Sequence, residues 1–390
     1  MPSSTFNSNS AGSNSANPES VVRPGFVRLT ASDRPGVAQP VPERDIPVKP
    51  WGPILLGAAL MFAVLMVGWE LYWRDFGAVP GYHNGKDEWA LQRRRIDEGE
   101  GGKTVLVGSS RVLFDVQLPV WEQATGERPI QLALEGTSGV LLMEDLAADP
   151  KFTGRLLVGV APDLFFSGFA YRGDAIPYFH KEGKSPAQRI GTWLARALVE
   201  PYFAFYDNDF ALATVVRRQA WPLRPGMHKS TRVRKLMVQE ADRNTHMWSK
   251  VETDIAYRDL CRSIWAEEFT GPPPPNMDTP EKLQKLVGEQ IDRATKAVAT
   301  LRARGVRVLF VRMPSAGEYY AFEQKVFPRA KTWDVLLQRT GAAGIHFEDH
   351  PQMQGYTLPE WSHMTASEAT RFTTVFAPLV EAEFRKQESH

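Results

Sequence analysis

The segment WGPILLGAALMFAVLMVGWELYW, Trp51 to Trp73, carries no charged residue before Glu70. A helix crossing a bilayer needs about 20 apolar residues, and this stretch supplies them. Trp51 at one end, and Trp69, Tyr72 and Trp73 at the other, are placed as interfacial aromatic anchors. A cleaved signal peptide fits poorly: the segment lies far from Met1, its apolar run is too long, and no A-x-A site follows. A buried core helix would need an amphipathic or helix-flanked setting, which the preceding residues do not provide. The expectation is one transmembrane anchor over 51–73. Orientation is not set by charge. Arg34, Arg44 and Lys49 flank one end, and Arg74, Lys86, Arg93 and Arg94 flank the other.

Residues 1–50 read as a disordered tail. They open with the Ser/Asn-rich run MPSSTFNSNSAGSNSANPES and continue with scattered Pro and single charges. Such a composition buries too little surface to offset chain entropy. Residues 74–102 read as a linker, leaving 103–390 for a folded domain.

Charge narrows the function classes. The 46 basic and 45 acidic residues leave a net charge of +1, so no broad positive field exists to hold a nucleic acid. Cys261 stands alone, and the eight histidines show no metal-ligand spacing, so neither a metal nor another cofactor is expected.

From Lys103 onward, short apolar runs end in turn residues: TVLVG (104–108), PIQLALEG (129–136), RLLVGVAP (155–162), VRVLFVRMP (306–314) and GIHF (344–347). Near-continuous hydrophobicity suits parallel strands covered on both faces. Helical patterns lie between them, at 118–125, 139–147, 281–304 and 333–340, with a last one over 367–386. Thr365 and Glu368 have capping-box spacing at the start of that last helix. The expected fold is α/β, a doubly wound α/β/α sandwich with a central parallel sheet. Residues 163–280 exceed what a connection after the third strand needs. They read as a mostly helical, aromatic-rich insertion: a substrate lid, a membrane-facing surface or a partner dock.

Ligands of such sheets bind beyond the carboxyl ends of the strands. Gly108-Ser109-Ser110-Arg111 closes the first strand, Gly136 follows the second, and Glu360-Trp361-Ser362-His363 precedes the last helix. Singly, each is ordinary: serine forms turns, histidine starts helices, glutamate is usually solvated. Together they supply the hydroxyl nucleophile, imidazole base and orienting carboxylate that acyl transfer requires. Gly136 lets a backbone N–H approach a developing oxyanion. Arg111 and Arg312 are placed either to hold an anion near the site or to pair with a structural carboxylate.

The order of these blocks resembles the SGNH (GDSL-like) hydrolase superfamily, over most of the chain from Lys103 onward apart from the insertion. The resemblance implies that Ser110 is the nucleophile, that Ser109 stands in the motif's Asp place, and that Glu360 and His363 are its acid and base. It implies an oxyanion hole formed by Ser110 and Gly136. Two positions depart from the pattern. The acid is Glu rather than Asp, which makes Asp349 the alternative carboxylate. The block after the third strand reads GVAPDLFF and has no Asn.

With its anchor, the chain looks like the membrane-anchored envelope branch of that superfamily, which includes the D-alanyl transfer protein DltD and the alginate O-acetylation proteins. That likeness implies a single-pass protein of the bacterial inner (cytoplasmic) membrane with its main domain extracytoplasmic. It implies a membrane-bound O-acyltransferase as partner and a glycan as acceptor. The expected activity is O-acyl transfer, with acetyl the expected group, onto an envelope or secreted polysaccharide. A carbohydrate esterase using the same residues and a non-catalytic scaffold of the same fold are the alternatives.

Overall fold

The computed structural model describes residues 49–219, 221–222, 224 and 235–388. The expected tail, 1–50, lies outside the described residues except at its last two positions. The chain divides into two units, 1–60 and 61–390. The described part of the first unit is the start of helix Trp51–Asp75, which ends in the second. That helix is long and apolar enough to cross a membrane, and its apolar window has no residue buried within the protein.

The second unit is mixed α/β. Its strands are β1 (Thr104–Val107), β2 (Ile130–Gln131), β3 (Arg155–Gly159), β4 (Met237–Gln239), β5 (Thr245–Met247), β6 (Arg307–Arg312) and β7 (Ala343–His346). Five of them form one parallel sheet in the order β2-β1-β3-β6-β7, and β4 and β5 form a separate antiparallel hairpin. β2 is shorter than the apolar run suggested. Its continuation still pairs with β1's edge through Leu132 N–H to Leu106 O at 2.8 Å and Leu134 N–H to Gly108 O at 2.9 Å.

Side chains alternate across the pleat, so each strand feeds two cores. Val105, Val107, Leu156, Val158, Val308 and Phe310 face one side, under the helices Gly139–Ala148, Pro280–Arg302 and Trp333–Thr340. Leu106, Leu157, Leu309, Val311 and Ile345 face the other, under Ser110–Asp115, Leu118–Thr125 and Ala366–Lys386. Strand succession reverses between β1 and β3, which opens a crevice at their carboxyl ends. Gly108 lines that point with φ +139°, and a Cβ there would lie 2.9 Å from Gly159 Cα. A Cβ on Gly159 would in turn strike Val112. Two glycines therefore seat the helix that begins at Ser110.

Residues 74–102 are not a linker. They carry the helix Lys86–Arg95, whose Trp89 and Ala90 join the first core. Arg93 from this helix is buried and binds Asp145 and Asp149, both at 2.7 Å. The inserted region is mostly helical, with the β4–β5 hairpin as its exception, and residues 220, 223 and 225–234 of it lie outside the described residues. At the last helix, the Thr365 hydroxyl accepts from Glu368 N–H at 3.2 Å. The reciprocal half of the capping box is absent, because Thr365 N–H goes to Thr357 O and the Glu368 carboxylate pairs with Arg371.

Candidate active site

Ser109 and Ser110 follow β1 after Gly108. Ser109 is the N-cap of the helix Ser110–Asp115, and Ser110 is its half-buried first residue. One face of this short helix rests on the turn before the last helix at three points. Arg111 Nε donates to Ser362 Oγ at 3.2 Å. The Phe114 ring stacks on the His363 imidazole with centroids 4.3 Å apart. Asp115 Oδ1 accepts from Met364 N–H at 2.9 Å. Residues some 250 positions apart in the chain are thereby joined (|i−j| = 249 and 251).

Within the turn, Glu360 and His363 are both buried, with side chains 0% and 2% exposed. Glu360 Oε1 lies 2.9 Å from His363 Nδ1 and accepts from the backbone N–H of His363 at 2.6 Å and of Ser362 at 3.3 Å. Glutamate's extra methylene lets the carboxylate curl back over its own turn, so its length does not displace the contact. Burial pushes the Glu360 carboxyl up, but the charge of His363 and the hydrogen bonds from His363 and Trp265 outweigh it and hold the acid below the usual range. The ring's other nitrogen, Nε2, is buried and has no hydrogen-bond partner among the described residues. The Ser110 hydroxyl is therefore not bonded to it in this state. Nucleophile–base contacts are often looser before substrate binds.

Backbone geometry fixes the turn. Trp361 has φ +74°, a left-handed conformation disfavoured by about 1–2 kcal/mol for a residue with a Cβ. Its carbonyl accepts from Ala316 N–H at 2.8 Å. Its indole sits where a Cβ on Gly317 would be, 2.5 Å away. Strain of this kind is characteristically held at functional sites.

Behind the turn lies a buried ionic network. Glu323 takes Arg111 Nη1 on one oxygen and Arg312 Nη2 on the other, both at 2.7 Å, and Ser315 Oγ also donates to it at 2.6 Å. Both guanidinium groups are thus engaged by a structural carboxylate. Burial raises Glu323, but Arg111 and Arg312 outweigh it and hold the carboxyl below its ordinary value. Tyr319 lies under Arg111 and donates its hydroxyl to Asp163 at 2.6 Å. Asp163 lies in the GVAPDLFF block after β3. Burial raises its carboxyl.

Asp349 does not reach the site. It is half exposed and grips Arg329 through both oxygens at 2.7 and 2.6 Å. The Arg329 hydrogen bonds hold its carboxyl below the ordinary value. It is not the acid of His363. Gly136 follows β2 with φ +57°, packed against Tyr171, whose N–H donates to the Gly136 carbonyl at 2.9 Å.

Sequence reasoning missed Glu323, Asp115 and Trp265. Trp265 belongs to the inserted helix Ile255–Thr270 and donates Nε1–H to Glu360 Oε2 at 2.6 Å. Glu323 falls one turn after Tyr319 on the helix Gly317–Val326, so helical spacing points it inward with the ring. Asp115 interrupts the apolar run VLFDV. A half-open pocket of about 310 Å³ lies elsewhere, lined by His83, Asn84, Asp87, Leu134 and Arg172 among others, and neither Ser110 nor His363 borders it. Compared with known proteins, the chain matches no family model, no curated protein and no solved structure.

Proposed function

We propose that this chain is a membrane-anchored serine acyltransferase of SGNH type, acting through Ser110, His363 and Glu360. The observation that carries the reading is the buried Glu360–His363 pair, 2.9 Å apart, packed against the helix that starts at Ser110. A carboxylate on Nδ1 fixes the tautomer whose Nε2 is the base.

The Ser110 hydroxyl attacks the carbonyl of an acyl donor while its proton passes to His363 Nε2. Glu360 stabilises the imidazolium. The N–H groups of Ser110 and Gly136 meet the oxyanion. The tetrahedral species collapses, and the donor's leaving group departs with the proton from His363. An acceptor hydroxyl then gives its proton to Nε2 and attacks acyl-Ser110, and collapse releases the ester as Nε2 returns the proton to the departing Ser110 oxygen. The acceptor is a glycan hydroxyl of the envelope or a secreted polysaccharide, and the group is acetyl.

The helix Trp51–Asp75 supports the anchored form of this reading. We place the domain outside the cytoplasm of a bacterial cell, beside a membrane-bound O-acyltransferase that delivers the acyl group. Holding the domain near such a donor raises its effective concentration.

The test is acyl partition by the full chain in lipid nanodiscs, given an acetyl ester with and without oligosaccharide acceptors. Transfer predicts acetylated oligosaccharide and slow release of free acetate. Rapid hydrolysis with no acylated sugar would make the protein an esterase, and no turnover of either kind would make it a scaffold.

A further inference from the structure

The helix Pro186–Leu198 is amphipathic in the reverse sense. Its protein-facing side is polar: Thr192 Oγ1 donates to Asp87 at 3.4 Å, Arg196 pairs with the buried Glu88, and Arg196 Nη2 donates to Ala241 O at 3.0 Å. Ile190, Trp193, Leu194 and Leu198 are exposed, Trp193 by 64%. Their i, i+3, i+4, i+8 spacing forms one stripe, bordered by the exposed Arg189. Burying such side chains away from water is favourable, and this helix turns all four outward. A stripe like this belongs in an apolar medium.

The position of the stripe along the chain identifies that medium. Residues 202–210 are tied to the last turns of helix Trp51–Asp75. Glu70 accepts from Ala204 N–H at 3.0 Å and Phe205 N–H at 2.9 Å, and Arg74 donates to Tyr202 O at 2.8 Å. Trp69 Nε1 donates to Phe210 O at 3.2 Å, while Trp73 stacks on the Phe210 ring at 4.7 Å. A helix of 25 residues is about 37 Å long against a hydrocarbon core of about 30 Å. Its last turns emerge at the headgroups and carry the 202–210 segment with them. Leu198 lies four residues before Tyr202, within about 14 Å along an extended chain.

We propose that the helix Pro186–Leu198 lies in the membrane interface, with Ile190, Trp193, Leu194 and Leu198 in the acyl-chain boundary and Arg189 toward anionic headgroups. It is a second, monotopic contact with the bilayer, of the kind Trp- and Leu-bearing amphipathic helices make. The proposal rests on the membrane-anchored reading of Trp51–Asp75. With two attachments, the catalytic domain cannot swivel freely about its anchor.

Site-directed spin labelling of the full chain in vesicles of phosphatidylcholine and phosphatidylglycerol tests it. Nitroxides are placed at Leu194→Cys and Leu198→Cys, with Val64→Cys in the spanning helix and Lys282→Cys on the surface as references. The unsubstituted chain reports any labelling of the buried Cys261. The expected result is that oxygen quenches the labels at 194 and 198 while a charged nickel chelate does not, at a depth of roughly 5–10 Å. The Lys282 label stays open to the chelate. If 194 and 198 are as accessible to the chelate as 282 while 64 is shielded, the interfacial helix is overturned and the anchor stands. If 64 is accessible too, both fall. Shielding of 194 and 198 in native membranes but not in pure lipid would assign the stripe to a membrane-protein partner and overturn the bilayer assignment.

Discussion

Trp265 donates its indole N–H to Glu360 across 95 residues of sequence, at 2.6 Å. The inserted segment therefore reaches the acid of the candidate triad, and Arg262 from the same helix also binds the Pro359 carbonyl at 2.8 Å. Glu360 is thus clamped on both oxygens, by its own turn on Oε1 and by the insertion on Oε2.

Replacing Trp265 by Phe removes one stabilising hydrogen bond from the ionised carboxylate. The Glu360 carboxyl then moves up toward its ordinary value. The carboxyl's own titration, followed by carbon-13 NMR on the two proteins, measures this. An unshifted titration would mean that Trp265 only packs.

Glu360→Gln keeps the shape of the turn but not the charge beside the imidazole. In a triad, the corresponding change lowers turnover by up to about 10⁴-fold. Asp349→Asn, on the surface with Arg329, leaves activity unchanged. Steady-state kinetics on the pair decide it, and the opposite ranking would return the role to Asp349.

Glu323 sits between two buried guanidinium groups. Glu323→Ala leaves Arg111 and Arg312 with no charge partner there, and breaking a buried pair in this way typically costs about 3–5 kcal/mol. Chemical denaturation of the full chain in detergent micelles should show a loss of that order. A change below about 1 kcal/mol would show the network to be well solvated.

Asp115 gives a pH signature. Burial pushes its carboxyl from 3.8 up to about 7. The folded state therefore holds this proton more tightly than the unfolded chain. The resulting stability is complete below about pH 4, declines as pH rises and is gone above about 7, at up to about 1.4 kcal/mol per pH unit. Asp115→Asn can still accept from Met364 N–H but cannot titrate. The difference in stability between variant and wild type should grow in the variant's favour across that window. A constant difference would place the titration elsewhere.

What the sequence disclosed and what it hid follow from the range of the interactions. The strands of the parallel sheet were readable because runs such as TVLVG and VLFV are local and apolar on both faces. The Thr365 cap was readable for the same reason. Glu360 and His363 are three residues apart, so their pairing lay within local spacing. Sequence alone still left Asp349 in play, because only the folded chain commits that carboxylate to Arg329. Glu323 finds Arg111 at a separation of 212 positions, and Trp265 finds Glu360 at 95. No periodicity encodes such pairs. The helix Lys86–Arg95 was hidden differently. Its buried face includes Glu88, Gln92 and Arg93, polar residues that enter a core only because distant partners meet them there.

The central claim is that Ser110 is the nucleophile, and active-site labelling tests it most directly. The full chain is treated with a fluorophosphonate probe and the modified peptide is mapped by mass spectrometry. The account predicts label on Ser110 in the wild type and in Ser109→Ala, with none in Ser110→Ala and little in His363→Ala. Labelling that persists unchanged in Ser110→Ala, or that maps to Ser109, would contradict it.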